Sequence, residues 1–426
     1  MGSVTEHGGR ESEPRDVFRL PGFLAFWTAE SVSGLGNQIT TLALQVLVVV
    51  TLSGSATDVG LVNAARWLPY LVLGLVIGAL VDRRRRKPIM VVTDLGRALL
   101  LGLIPLLWAL DRLSVPVVVA FVAAFGLLSL LNDAASQSFL PRLVPRSSLL
   151  AANARLDQVG AVVQTSGPAV AGGLVTVLGA PLAVLVDAGS YLFSAVTLTR
   201  IRLEESTTQV RRASVNLWAE VAEGVRWVYR HRTLAPQALS THGWFLFNSM
   251  LVTVFVPFVL VGLGLTATEL GIALAGAGVG ALVGSLLSTR IGMRWGAGRA
   301  VIAARLVMPL GWVVIALAPA DGDRWTTVAV LAAGQLVYGF TMGAENANEM
   351  GYRQAVTPDE LQGRMNTTMR SVNRAMIVVG APVGGLLADT LGYRPTMWIA
   401  LAGFVVVALL LAASPFRHAR HDDGTP

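Results

Sequence analysis

From Phe23 to Ser414 the chain alternates long apolar runs with short breaks rich in charge, glycine or proline. A helix that spans a bilayer needs about 20 mainly apolar residues. Twelve such runs are predicted, near 23–51, 58–81, 88–110, 115–139, 150–178, 180–199, 236–262, 268–290, 299–319, 325–350, 362–390 and 393–414. An even number places both chain ends on one side. The longest polar interval, 200–235, divides the runs six and six. Within it, Leu217, Val221, Val225 and Val228 recur at near-helical spacing with Trp218 and Trp227 beside them. That stripe reads as an amphipathic helix at the membrane surface, or as an ordinary solvated linker helix. The predicted organisation is a tail (1–22), a six-helix bundle (23–199), a linker (200–235), a second six-helix bundle (236–414) and a second tail (415–426).

Composition sharpens this picture. Of 426 residues, 54% are apolar and only 14% charged, with mean hydropathy +0.61. A soluble domain carries about 25% charged residues, so a soluble enzyme of this length is excluded and the excess apolar surface must face lipid. The net charge of +7 then reflects basic loops rather than nucleic-acid binding. With no Cys and only five His, cysteine metal sites, thiolate nucleophiles and disulfides are excluded, and no metal or other cofactor is expected. No Gly-x-x-x-x-Gly-Lys-Ser/Thr loop is present, so ATP drive is unsupported. Residues 1–19 carry mixed charge and no signal peptide is read there.

Basic residues set the orientation. With the N-terminus inside, 24 Lys and Arg fall in inner segments and three (Arg112, Arg324, Arg394) in outer loops. The expected location is therefore the cytoplasmic membrane, multi-pass, with both termini cytoplasmic and basic loops against anionic inner-leaflet headgroups.

The two halves resemble each other. Residues 153–174 align without gaps onto 366–387, an offset of 213 that also relates Pro145 to Pro358 and Gly172 to Gly385. Upstream, Ser55–Gly60 matches Thr266–Gly271 at an offset of 211. Matched segments run the same way across the membrane, so the fold class expected is an all-α integral membrane protein. Its twelve transmembrane helices form two six-helix bundles related by a parallel pseudo-repeat.

After the second run stands Gly78-Ala79-Leu80-Val81-Asp82-Arg83-Arg84-Arg85-Arg86-Lys87. A carboxylate here can face the positive N-terminus of a neighbouring helix while the arginines meet headgroups. The segment resembles the loop 2–3 signature of the major facilitator superfamily, matched at Gly78, Leu80, Asp82, Arg83, Arg86 and Lys87. Val81 and Arg85 depart from it. The second-half counterpart, Thr289–Gly296, lacks the Asp, which implies an asymmetric gate. Asp94 with Arg97, and Asp157 with its repeat mate Arg370, join the gating candidates. Pro141–Pro145 with Asn153, together with Pro358–Arg364, resembles the branch of macrolide-efflux and enterobactin-export proteins. Gly167, Pro168, Gly172 and Gly173 resemble an antiporter signature in this superfamily, with Pro382, Gly384 and Gly385 as repeat mates; close helix packing by small residues explains them equally well.

Polar residues inside a bilayer are costly and mark candidate sites. The first run offers Glu30, Asn37, Gln38, Thr41 and Gln45, and the fourth offers Asn132, Asp133 and Gln137. The seventh offers Trp244, Asn248 and Phe255, and the tenth offers Tyr338, Glu345 and Asn348. The resemblance implies that these four helices line a central cavity. Asp133, Glu345 and Glu30, in that order, are the proton-coupling candidates. The function implied is a proton-coupled exporter of small hydrophobic or amphipathic molecules, acting as a monomer. Export of a siderophore or other metabolite is the alternative within transport, and a non-transporting sensor or scaffold the alternative outside it.

Overall fold

The computed structural model describes residues 17–82, 84–203, 217–420 and 423. Six helices build the first bundle: α1 (Phe23–Val46), α2 (Ala56–Asp82), α3 (Arg86–Ala109), α4 (Val115–Leu143), α5 (Leu149–Leu178) and α6 (Ala180–Arg200). A short helix α7 (Leu217–Arg230) follows. The second bundle comprises α8 (Leu234–Pro257), α9 (Ala267–Trp295), α10 (Ala297–Ala316), α11 (Arg324–Val356), α12 (Asp359–Leu391) and α13 (Tyr393–Ala413). Eleven of these helices are long and apolar enough to cross a membrane. The twelfth, α2, has 27 residues and only Asp58, Arg66 and Asp82 as charges. The chain is therefore a multi-pass membrane protein.

The repeat seen in the sequence governs packing. α1 pairs with α5 and α6, and α2 with α4; α8 pairs in the same way with α12 and α13, and α9 with α11. α1 and α8 each end in a single π-helical turn, Leu47–Thr51 and Phe258–Gly262, 211 positions apart. Gly179 and Gly392, 213 positions apart, hold φ of +78° and +93° in the tight turns that reverse α5 into α6 and α12 into α13. A side chain at either position would be strained by its own backbone.

The second bundle is built on a glycine seam. Gly276, Gly280 and Gly284 of α9 lie against the backbone of α11, and Gly339 and Gly343 of α11 lie against α9. A Cβ on Gly339 would sit 1.9 Å from the Ala277 carbonyl oxygen. Lipid gives helices no hydrophobic reason to associate, so close backbone contact supplies the attraction. Gly339→Ala is expected to cost at least about 1–3 kcal/mol, read as a lower thermal midpoint in detergent; an unchanged midpoint would show that the seam can spread.

α7 packs on α12 and α8. Arg364 donates to Glu223 at 2.5 Å and Glu220 at 3.2 Å, and Gly224 lies against the Arg364 carbonyl. Of the predicted stripe, Val228 packs on Met365 and Met369 of α12 while Val225 is exposed, and α7 rides with the second bundle. Leu217 and Trp218 side chains, and residues 204–216 of the linker, lie outside the description.

Candidate functional site

Both bundles carry their chain ends and the connector at one end of the molecule, here the tail end. At the opposite, far end they are sealed together by α2 on α12 and α5 on α9. Gly60 lies against the Ala381 carbonyl and Gly385 against that of Ala56; Gly172 lies against the Ala267 carbonyl and Gly271 against that of Pro168. The Asp389 carboxylate of α12 accepts hydrogen bonds from the N–H groups of Ala56 and Thr57, both at 2.9 Å, and from the Thr57 hydroxyl at 2.6 Å. It caps the first turn of α2 in the other bundle. The repeat mate of Asp389 is Thr176, whose hydroxyl accepts the N–H of Thr268 at the start of α9, at 3.0 Å. Two pseudo-symmetric caps close the far end, one charged and one neutral.

Toward the tail end a cleft of about 550 Å³ opens between α1, α4 and α5. Glu30, Gln137 and Asn153 give it polar points on an apolar wall that includes Phe26, Leu140 and Leu156. Ser136 donates to Glu30 at 3.0 Å. Asp133, one turn above Gln137, is exposed and accepts a hydrogen bond from Tyr70 of α2 at 2.7 Å. Above Tyr70, the Arg374 guanidinium of α12 lies 4.5 Å from the ring centroid, and 5.9 Å from that of Trp67. Arg374 was unmarked in the sequence because an isolated intramembrane arginine has no visible partner at helical spacing.

The polar stripe of α1 is anchored rather than open. Arg66 donates to Thr41 at 2.7 Å and Asn37 at 2.8 Å, Gln45 is buried, and Gln38 packs on Gly167. Asn248 accepts the Tyr338 hydroxyl at 2.8 Å, a half-buried pair joining α8 and α11.

Several expected cavity residues lie elsewhere. Asn132 turns into the first bundle and donates to Thr93 at 2.9 Å and to Asp94 at 3.1 Å. Asn348 donates to Ser288 of α9 at 2.8 Å beside the glycine seam. Trp244 donates to Met308 Sδ and stacks on Phe404, while Phe255 is buried edge-on against Trp312. Apolar periodicity cannot set the rotation of an all-apolar helix, so aromatic residues on α8 could not be assigned to a face.

Glu345 is likewise buried. Arg305 of α10 donates to it at 2.6 Å, to Glu349 at 3.1 Å, to Thr241 at 2.7 Å and also to Ser240. Gln237 donates to Glu349 at 2.6 Å, and Arg353 adds an ion pair at 3.4 Å. Arg305 and Asp94 are 211 positions apart, Glu345 and Asn132 213. The same joint between repeat-equivalent helices is therefore built once from Asp94 and Asn132 and once from Arg305 and Glu345.

Among the gating candidates, Asp94 pairs with Arg97 and accepts from Ser194 at 2.6 Å, and Arg97 lies 4.1 Å over the Tyr191 ring. All of these belong to one bundle, so they brace it internally. Arg86 is buried at the start of α3, and Lys87 donates to the carbonyls of Thr199 at 2.9 Å and Ile201 at 2.7 Å, capping α6. Arg83 and the side chain of Asp82 lie outside the described residues, as do the surroundings of Gly78. Asp157 and Arg370 are both exposed and form no ion pair with each other. Asp187, unassigned from sequence, accepts from Thr40 at 2.5 Å and Ser190 at 2.8 Å and ties α6 to α1. Of the packing motif, Pro168, Gly172, Pro382 and Gly385 meet the other bundle, Gly384 meets Met250 of its own, and Gly173 faces open space.

Residues 14–426 match the family described as transmembrane secretion effector. The multidrug efflux pump Tap of Mycolicibacterium fortuitum is 28% identical over 86% of this chain and 89% of its own. Macrolide efflux protein A of Streptococcus pyogenes is 22% identical over 94% of this chain and 97% of its own. In fold, the chain is similar to a bacterial homologue of the iron transporter ferroportin in its inward-facing state, with a TM-score of 0.73, 15% identity, and coverage of 92% of this chain and 97% of that one. With a family match across nearly its whole length and a duplicated six-helix architecture, the chain belongs to the transmembrane secretion effector family of major facilitator superfamily transporters.

Proposed function

We propose that the protein is a proton-coupled exporter of small hydrophobic or amphipathic molecules across the cytoplasmic membrane, working by alternating access with the tail end in the cytoplasm. The observation that carries the reading is the pairing of a sealed far end with a cleft, open toward the tail end, that Glu30 and Gln137 line, with the exposed Asp133 one helical turn from Gln137. A molecule entering from the cytoplasm or inner leaflet meets an apolar wall with two acidic groups. Opening the far end then exposes those groups to external protons, and protonation weakens their hold on the substrate. The names of the multidrug and macrolide efflux relatives support export, and the excess of basic residues at the tail end supports the orientation. Asp133 is exposed, Glu30 lines the cleft, and among the described residues neither is in an ion pair, whereas Glu345 is committed to Arg305; the coupling order is therefore Asp133, then Glu30, then Glu345. Gln137 and Asn153 offer hydrogen bonds to a polar part of the substrate, and Asn248 with Tyr338 offers them from the second bundle.

In everted vesicles, Asp133→Asn is expected to abolish protonophore-sensitive uptake of a lipophilic dye while leaving dye binding measurable and less dependent on pH. Wild-type protonophore-sensitive uptake by both Asp133→Asn and Glu30→Gln would overturn the coupling assignment. Failure of the wild-type protein to accumulate any dye across a chemically varied panel would favour the sensor or scaffold reading.

A further inference from the structure

Inside the membrane-spanning bundles, Arg66, Arg97 and Arg305 are tightly fixed. Arg66 is held by Thr41 and Asn37, Arg97 by Asp94, and Arg305 by Glu345, Glu349, Ser240 and Thr241. Arg374 is the exception: among the described residues it has no ion pair and no side-chain hydrogen bond, and it rests on the faces of Tyr70 and Trp67. Those two rings lie 5.3 Å apart, tilted by 53°, and the Tyr70 hydroxyl is bonded to Asp133. Two aromatic faces backed by a carboxylate are the elements of a cation site. Here the cation belongs to the opposite bundle.

We propose that Trp67, Tyr70 and Asp133 form a binding box for the positively charged group of a lipophilic organic cation, and that Arg374 occupies this box as a tethered stand-in until substrate displaces it. This deepens the exporter reading and rests on it. A guanidinium held only by ring faces is the easiest of the four to displace. Asp133 is exposed on the face of α4 that continues to Gln137 in the cleft, so an entering amine or onium group approaches the box from the open side. Displacement has a second effect. Arg374 bridges α12 to α2, the same two helices that Asp389 ties together at the far end, so a bound cation removes one of the ties between them. Occupation of the box is thereby linked to release of the sealed end, and no further signal is needed. An anionic substrate would behave oppositely, seeking Arg374 as a counter-ion and gaining nothing from the rings.

The test is equilibrium binding to purified protein in nanodiscs, using radiolabelled tetraphenylphosphonium as the cation and N-phenyl-1-naphthylamine as a neutral probe. Trp67→Leu and Asp133→Asn are each expected to weaken tetraphenylphosphonium binding by roughly fivefold to tenfold relative to the neutral probe. Arg374→Gln is expected to strengthen it by a similar factor, Arg374→Lys to fall between, and Arg374→Gln to have no effect once Trp67 is Leu. Size-exclusion profiles show which variants are folded, and a gain in affinity cannot arise from misfolding. If Arg374→Gln weakens or leaves unchanged the binding of tetraphenylphosphonium, or Trp67→Leu binds it as tightly as wild type, the box is wrong. Wild-type protein that drives the neutral probe out of vesicles while its cation binding ignores these substitutions retains the exporter reading and loses the box; protein that transports neither probe loses both.

Discussion

Arg305→Ala is expected to destabilise the protein by about 3–5 kcal/mol, the cost of leaving buried charge without its partner. Arg305 is 3% exposed at its side chain and lies between Glu345 and Glu349. Removing it strands Glu345 beside neutral hydrogen-bond donors without a compensating charge and leaves Glu349 its longer pair with Arg353 at 3.4 Å. The measurement is the thermal midpoint of detergent-solubilised protein. Arg305→Met combined with Glu345→Gln should recover most of the loss, because Glu349 keeps its ion pair with Arg353 and no buried charge is left unpaired. A single variant as stable as wild type would mean that water reaches the cluster. Rescue failing in the double variant would point instead to packing around the guanidinium.

The second large effect is expected at the far end. Loss of a helix cap costs about 1 kcal/mol, which moves a two-state balance roughly fivefold. Asp389→Ala should therefore shift the protein toward an externally open form. The chain has no native cysteine, so a single cysteine introduced at Ala381, 1% exposed in the α2–α12 contact, reports opening through its reaction with a membrane-impermeant maleimide. Labelling should quicken about fivefold in Asp389→Ala and less in Thr176→Ala, whose cap is neutral. Equal rates in wild type and Asp389→Ala would show that the glycine contacts alone keep this end shut.

The spans were legible in the sequence for a physical reason: a backbone in lipid must satisfy its own hydrogen bonds, which forces long uninterrupted apolar helices. The repeat was equally visible, and it predicts the common pairing of α1 with α5 and of α8 with α12. Side-chain direction was less accessible. Glu30 and Gln137 line the cleft and Asp133 is exposed one turn away, but Asn132, adjacent to Asp133, turns 100° away into Asp94. Trp244 and Phe255 sit on a helix apolar on all sides, where no polar face marks the rotation. Arg305 and Arg374 went unassigned because their partners lie on other helices. For Arg305 a signal existed: Asp94 and Asn132 recur as Arg305 and Glu345 at the repeat offsets, an exchange of charge across a duplicated joint. Asp389 was unmarked because a carboxylate near a helix end is ordinarily solvated. Its alignment with Thr176, each facing an Ala-Thr helix start in the other half, was the available clue.

The glycine seam between α9 and α11 bears on how motion is distributed. With backbone against backbone at five positions, little side-chain material remains between the two helices along this seam to slide or repack, so the pair acts as one stiff beam. α9 has 29 residues, about 44 Å at 1.5 Å per residue, and it starts at the Thr176 cap of the far end and finishes at the tail end. The corresponding pair in the first bundle, α2 and α4, has a single such contact among the described residues, Gly126 against Arg66. Any tilt begun at one face of the membrane is thus delivered to the other by the second bundle with little loss, as by a lever, while the first bundle, joined through compressible side chains, absorbs the bending.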